Sequence, residues 1–219
     1  MTPPSITRAI FIALLSAAVS SAPAHAGGPK ATWLGVGPWG GALLLDEHLG
    51  DYRWDVSPQA IWGLQGMVMR DRFGAGLRAW RSTTTQGTGL LGESADPGVN
   101  LTGFELVAEP RLASRWGTHL FLVATGGLMH IGYSPDQIVI DELGEPITVD
   151  LEPIDTWQAA FGLAVRRALP GRTTLGLAVE RSMFRMDTAH RSGDEVLEDR
   201  ETFSNWTVRF ELSQWFISI

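Results

Sequence analysis

The stretch Phe203–Ile219, FSNWTVRFELSQWFISI, alternates through its centre. Trp206, Val208, Phe210 and Leu212 fall on one side, and Thr207, Arg209, Glu211 and Ser213 on the other. A period of two with one apolar and one charged side describes a β-strand between two unlike environments. The strand stays aromatic to its end through Trp215 and Phe216, where a soluble domain more often frays into a polar tail. Gln214 falls on the apolar side, so a bulge or parity switch is expected near Ser213.

The opposite end of the chain has another character. Arg8 precedes an uncharged apolar run from Ala9 to Val19, and Ala24-His25-Ala26 is a small-x-small cleavage site. This pattern predicts a secretory signal peptide over residues 1–26. The run is too short for a membrane helix, which needs about 20 apolar residues. Residues 27–219 are then the folded domain. With no cysteine in 219 residues, disulfides, thiolate metal sites and lipoprotein acylation are excluded. With 17 Lys+Arg against 24 Asp+Glu and Lys30 as the single lysine, the chain is a poor partner for nucleic acid.

Between these ends, seven further segments have strand character: 31–45, 58–69, 74–85, 101–113, 118–131, 155–168 and 173–186. Their connections alternate in length. Residues 46–57, 86–100, 132–154 and 187–202 are long and polar, whereas 70–73, 114–117 and 169–172 are tight turns. In the third long connection, QIVID and PITVDL flank Glu142-Leu143-Gly144-Glu145, which predicts a small hairpin above the main structure. Eight amphipathic strands with long loops on one side and short turns on the other predict an all-β fold. The expected form is an eight-stranded antiparallel up-and-down transmembrane β-barrel of the bacterial outer membrane. The turns and both termini are then periplasmic, and the four acidic loops extracellular.

Eight strands enclose an interior just wide enough for side chains to fill. Strand parity turns Glu105, Glu109, Arg111, Arg166, Glu180, Arg209 and Glu211 into it, and Arg78 joins this network if the third strand faces it inward. Counting from the turns pairs Arg78 with Glu109, and places Glu180 beside Arg209 near mid-strand. The expected result is a salt-bridged plug; the functional alternatives are a gated polar pore and a proton path. Trp116, Trp157, Trp206 and Trp215 fall near strand ends and predict aromatic girdles at the two interfaces. Trp54, in the first loop, could instead stack on a sugar. The faces of the first, third and fifth strands are left open by their glycines.

In this pattern the chain resembles the family of small eight-stranded outer-membrane barrels that includes the OmpA transmembrane domain. The resemblance covers residues 27–219 and rests on architecture. It implies a terminal strand read by the barrel assembly machinery and a surface embedded in outer-membrane lipid and lipopolysaccharide. In that family the terminal strand usually ends in Phe; here it ends in Ile219, with Phe216 three positions earlier. The expected role is structural or adhesive, through the loops. Alternatives are a small-solute pore, a lipid-A-modifying barrel enzyme, and a soluble lipocalin-like barrel with the apolar faces inward. Catalysis would draw on His130 with Ser134, or Ser182 with His190, at the outer strand ends; His119 lies at the wrong end. No cofactor is expected. Asp141, Glu142 and Glu145, with Asp194 and Glu195, are carboxylates able to hold Ca²⁺ or Mg²⁺ loosely, and their spacing matches no defined loop motif.

Overall fold

The computed structural model describes residues 31–87, 96–142, 145–192 and 195–218; the side chains of 140–147, 189–198 and 217–218 are not among those described. The expected signal peptide therefore lies outside the described residues. Ten strands are present: β1 (Thr32–Leu44), β2 (Gln59–Arg70), β3 (Phe73–Thr85), β4 (Gly98–Arg115), β5 (Thr118–Ser134), β6 (Gln137–Glu142), β7 (Glu145–Asp150), β8 (Ile154–Leu169), β9 (Thr173–Ser192) and β10 (Glu195–Ser218). Eight of them close a barrel in the order β1-β10-β9-β8-β5-β4-β3-β2, with β6 and β7 as a separate hairpin. Closure comes from antiparallel pairing of β1 with β10 (Leu34 opposite Phe216, Leu44 opposite Trp206), so the barrel has no free edge.

The alternation of β10 runs through Ser213 without a switch. Glu211 and Ser213 are buried, Leu212 and Phe216 exposed, and the pairing with β9 continues unshifted to Gln214 opposite Thr173. Gln214 keeps its place by bonding to the adjacent turn: it accepts from Thr173 Oγ1 at 2.8 Å and donates to the Gly171 carbonyl at 2.9 Å. Among the described residues, a register shift lies instead on β4, between Arg111 and Ala113.

A second departure concerns residues 187–202. They continue β9 and β10 as a long hairpin paired up to Ser192 opposite Glu195. Beyond the membrane both faces of a ribbon meet water, so no hydrophobic alternation marks the strand in the sequence. β4 and β5 also run past their expected ends, to Gly98 and Ser134.

The outer surface is an apolar band. Leu64, Leu77, Phe104, Leu106, Phe161 and Phe210 are all more than half exposed. The first charged groups on this face come towards the strand ends, at Arg81, His130, Asp155 and Arg181 on the loop side and Arg70 and Arg167 on the turn side. The soluble barrel with apolar faces inward is thereby set aside: this surface belongs in lipid.

The interior has layers. Its loop-side half is an apolar plug that includes Trp39, Leu43, Ile61, Trp80, Leu101, Met129, Phe184 and Phe203. The first loop completes it. A 3-10 turn at Glu47–Tyr52 drops Leu49 into the mouth with no exposed surface. Trp54 is 4% exposed there, which removes it as a sugar-stacking platform.

Asp46 anchors this turn. It caps the turn by accepting from His48 N–H, and its other oxygen accepts from Ser204 N–H on β10 at 2.7 Å. Burial works to raise the Asp46 pKa, yet the bonds from Ser204 and His48 hold it below the usual carboxylate value. The hydrogen bond to Asp46 raises the His48 pKa above 6.5. The His48 contribution is fully present below pH 6.5 and disappears as pH rises through the raised value; that of Asp46 holds above 3.8 and disappears as pH falls through the lowered one. An NMR titration should place the His48 midpoint above 6.5, and Asp46→Asn should return it towards 6.5. Equal midpoints in the two proteins would show that the contact is not made.

Candidate functional site

Below the apolar plug, seven charged side chains from five strands meet in the lumen. Parity places them there: Arg78 from β3, Glu105 and Glu109 from β4, Arg166 from β8, Glu180 from β9, Arg209 and Glu211 from β10. All are 6% exposed or less. They form one continuous chain of alternating sign. Arg78 Nε donates to Glu105 at 2.6 Å, and its Nη1 and Nη2 donate to both oxygens of Glu180, at 3.1 and 2.7 Å. Arg209 Nη1 lies 2.5 Å from Glu180, and its Nε donates to Glu211 at 2.7 Å. Arg166 Nε donates to the second oxygen of Glu211 at 2.7 Å, and its two terminal nitrogens clasp Glu109. Charges this deeply buried persist only when paired and hydrogen-bonded.

The pairing differs from a count along the turns. Arg78 stands opposite Glu105, and Glu109 stands opposite Gly74. Neighbouring strands of a barrel are staggered by its shear: β4 runs five residues past the start of β3, because Phe73 faces Pro110 and not Arg115. Glu109 is thus lowered to the level of Arg166 across the lumen. Arg111 is not in the chain; it is half-buried and lines a vestibule at the turn end with Arg166 and His119.

Neutral groups complete the site. Trp80 Nε1 and Gln158 Nε2 both donate to Glu105 Oε1, at 3.0 and 2.7 Å. The guanidinium carbons of Arg78 and Arg209 lie 5.5 and 5.4 Å from the centre of the Trp39 ring, within cation–π range. Neither inward tryptophan was legible as such, because an indole suits an interface and an interior alike. The space left among these groups is a cavity of about 20 Å³, bordered by Trp39, Arg78, Glu105, Glu180 and Arg209. That is roughly room for one water. Three arginines and four glutamates, paired in one chain under an apolar plug, thus fill this level of the lumen.

The girdle tryptophans divide. Trp116 and Trp157 are exposed on the outer surface, at the turn side and the loop side. Trp206 is half-buried, with the Arg181 guanidinium 5.7 Å from its ring. Trp215 faces inward and lines the vestibule, donating to Thr174 Oγ1 at 3.0 Å. Trp62, 61% exposed on β2, stands on the outer face in addition.

The candidate catalytic and metal residues are also dispersed. His130 Nδ1 is 2.8 Å from Asp155 Oδ1 on the outer face, and no hydrogen bond from Ser134 to His130 is present among the described residues. Ser182 borders the internal cavity. The side chains of His190, Asp141, Glu142, Glu145, Asp194 and Glu195 lie outside the described residues. Among the described residues, no group of three or more His, Asp or Glu is placed to hold a metal.

No family model matches this chain, and no curated protein matches it. Among solved structures, outer membrane protein AlkL in lipid bilayers is 14% identical, with 91% of this chain and 97% of that chain covered at a TM-score of 0.47. A major outer membrane protein from Thermus thermophilus is 10% identical, covering 84% and 99% at 0.48. The attachment invasion locus protein Ail of Yersinia pestis is 12% identical, covering 85% and 99% at 0.41. The closed barrel, apolar outer band and charged interior of this chain make it a small eight-stranded barrel of the outer-membrane type.

Proposed function

We propose that the barrel is a closed scaffold. Its work is structural or adhesive, and is carried by the loops that it holds above the outer leaflet. The observation that carries this reading is the double closure of the lumen, by the Glu105-to-Glu109 ion chain and by the apolar plug under Leu49 and Trp54. A barrel filled in this way offers its loop ends to partners and nothing through its centre. The β6–β7 hairpin and the β9–β10 extension stand on that side and would form the contact surface, with the turns and termini in the periplasm. Their acidic side chains would face lipopolysaccharide phosphates through bridging Ca²⁺ or Mg²⁺. The terminal strand, Phe216 included, would carry the signal for the assembly machinery.

The test has two arms. Purified protein in a planar bilayer should show no steady open channel; sustained conductance would remove the closed reading and favour the solute pore. In cells, shortening residues 137–150 and 187–202 should abolish binding to surfaces or weaken the outer-membrane barrier while the barrel still assembles. If both phenotypes are unchanged in shortened variants that reach the membrane, the loops are not the working part.

A further inference from the structure

The vestibule at the turn end of the barrel takes no part in closing the lumen. It measures about 320 Å³, which falls within the range of small-molecule sites. The rings of Trp33, Trp215 and Phe121 wall it, and Arg166 is among its lining groups. Trp215 is held in place from two sides. Its Nε1 bonds to Thr174, and its ring lies so close over Gly35 that a Cβ there would come within 2.7–2.8 Å of it. This is a preformed aromatic slot.

The charge within it has one sign. Arg111 and Arg172 line the vestibule with Arg166, and no Asp or Glu does. The nitrogens of Arg166 are occupied by Glu109 and Glu211. Among the described residues, neither Arg111 nor Arg172 has a carboxylate within ion-pair distance. Arg172 stands 5.8 Å from the centre of the Trp33 ring, beside the aromatic wall. Arg111 is half-buried and Arg172 exposed at the rim; two guanidinium groups without a carboxylate, beside an apolar slot, match an anion with an apolar body.

We propose that this vestibule binds a small organic anion, an aromatic or short aliphatic carboxylate. Its apolar body lies between Trp33, Trp215 and Phe121, and its carboxylate faces Arg111 and Arg172. The site opens towards the turns, so the ligand is drawn from the compartment on that side. The site is independent of the loop-borne role proposed above; either reading can fail without the other.

The probe is 4-(trifluoromethyl)benzoate, followed by ¹⁹F NMR with the mature protein folded in zwitterionic micelles and with protein-free micelles as baseline. The wild type should give a saturable shift. The uncharged 4-(trifluoromethyl)benzamide should bind about tenfold more weakly or worse, the loss expected for one charge-assisted hydrogen bond. Arg111→Gln should weaken benzoate binding by a similar factor, and Ala168→Trp, which fills the vestibule from β8, should remove the saturable component. Heat-dependent gel mobility checks that each variant is folded. The two variants lie on different strands, and the benzamide comparison needs no variant. A wild type without a saturable shift, benzamide binding as tightly as benzoate, or a folded Ala168→Trp binding as the wild type does would each overturn the proposal.

Discussion

Replacement of Arg166 by methionine should cost about 3–5 kcal/mol of stability, the range for removing one partner of a buried ion pair. Among the described residues, Arg166 is the only cation bonded to Glu109, which has no exposed surface, and one of two bonded to Glu211. The variant leaves one carboxylate unpaired in a site that water hardly reaches. Arg209→Met should do less harm, because Glu180 keeps Arg78 and Glu211 keeps Arg166. The measurement is the urea midpoint of the barrel in micelles, with the compact form followed by unheated gel mobility. Adding Glu109→Met to Arg166→Met should restore a large part of the loss, since an apolar pair of similar volume removes the unpaired charge. An Arg166→Met barrel as stable as the wild type would mean that the ion chain does not form as described.

The second large effect is expected at the loop side. Phe203 is 1% exposed, stacks on Phe184 at 5.5 Å and meets Tyr52 edge-on at 5.8 Å. Phe203→Ala should cost about 3–5 kcal/mol, through lost burial and the cavity left behind. The position also adjoins Ser204 and Asn205, which bond Asp46 from its carboxylate and its backbone sides. Hydrogen exchange should therefore rise at Glu47–Tyr52 more than in β3 or β4. Conductance should stay absent, because the ion chain below is untouched. A variant that conducts would show the apolar plug to be the only barrier.

Much of this architecture was legible along the chain, and the reason is parity. Once Trp206 to Leu212 are set against lipid, Arg209 and Glu211 have nowhere to go but inward, and the same holds for Glu105, Glu109, Arg166 and Glu180 on their own strands. Parity does not fix height. The exchange of Glu109 for Glu105 as the partner of Arg78 comes from the stagger between strands, which is a property of the closed barrel and of no single segment. The tryptophans are ambiguous for a different reason. Trp33 and Trp39 lie on a first strand where Gly35, Gly37, Gly40 and Gly41 erase the alternation, and Trp215 was placed by its distance from the chain end alone. The long β9–β10 hairpin hid because strands wet on both faces need no hydrophobic pattern. The vestibule could not be foreseen at all: Trp33, Phe121 and Trp215 come from three strands brought together only by closure.

Arg209 and Glu211 are contributed by the last strand, yet they occupy the middle of the ion chain, between Glu180 and Arg166. Without these two residues, the ion chain of the closed barrel divides into two charged fragments, Glu105–Arg78–Glu180 and Arg166–Glu109. The first carries one excess negative charge and the second carries none. The last strand is itself neutral in these two residues and acts as the splint that joins the fragments. The same strand pairs with β1 to close the wall. The strand that seals the wall is therefore also the strand that connects the interior charges.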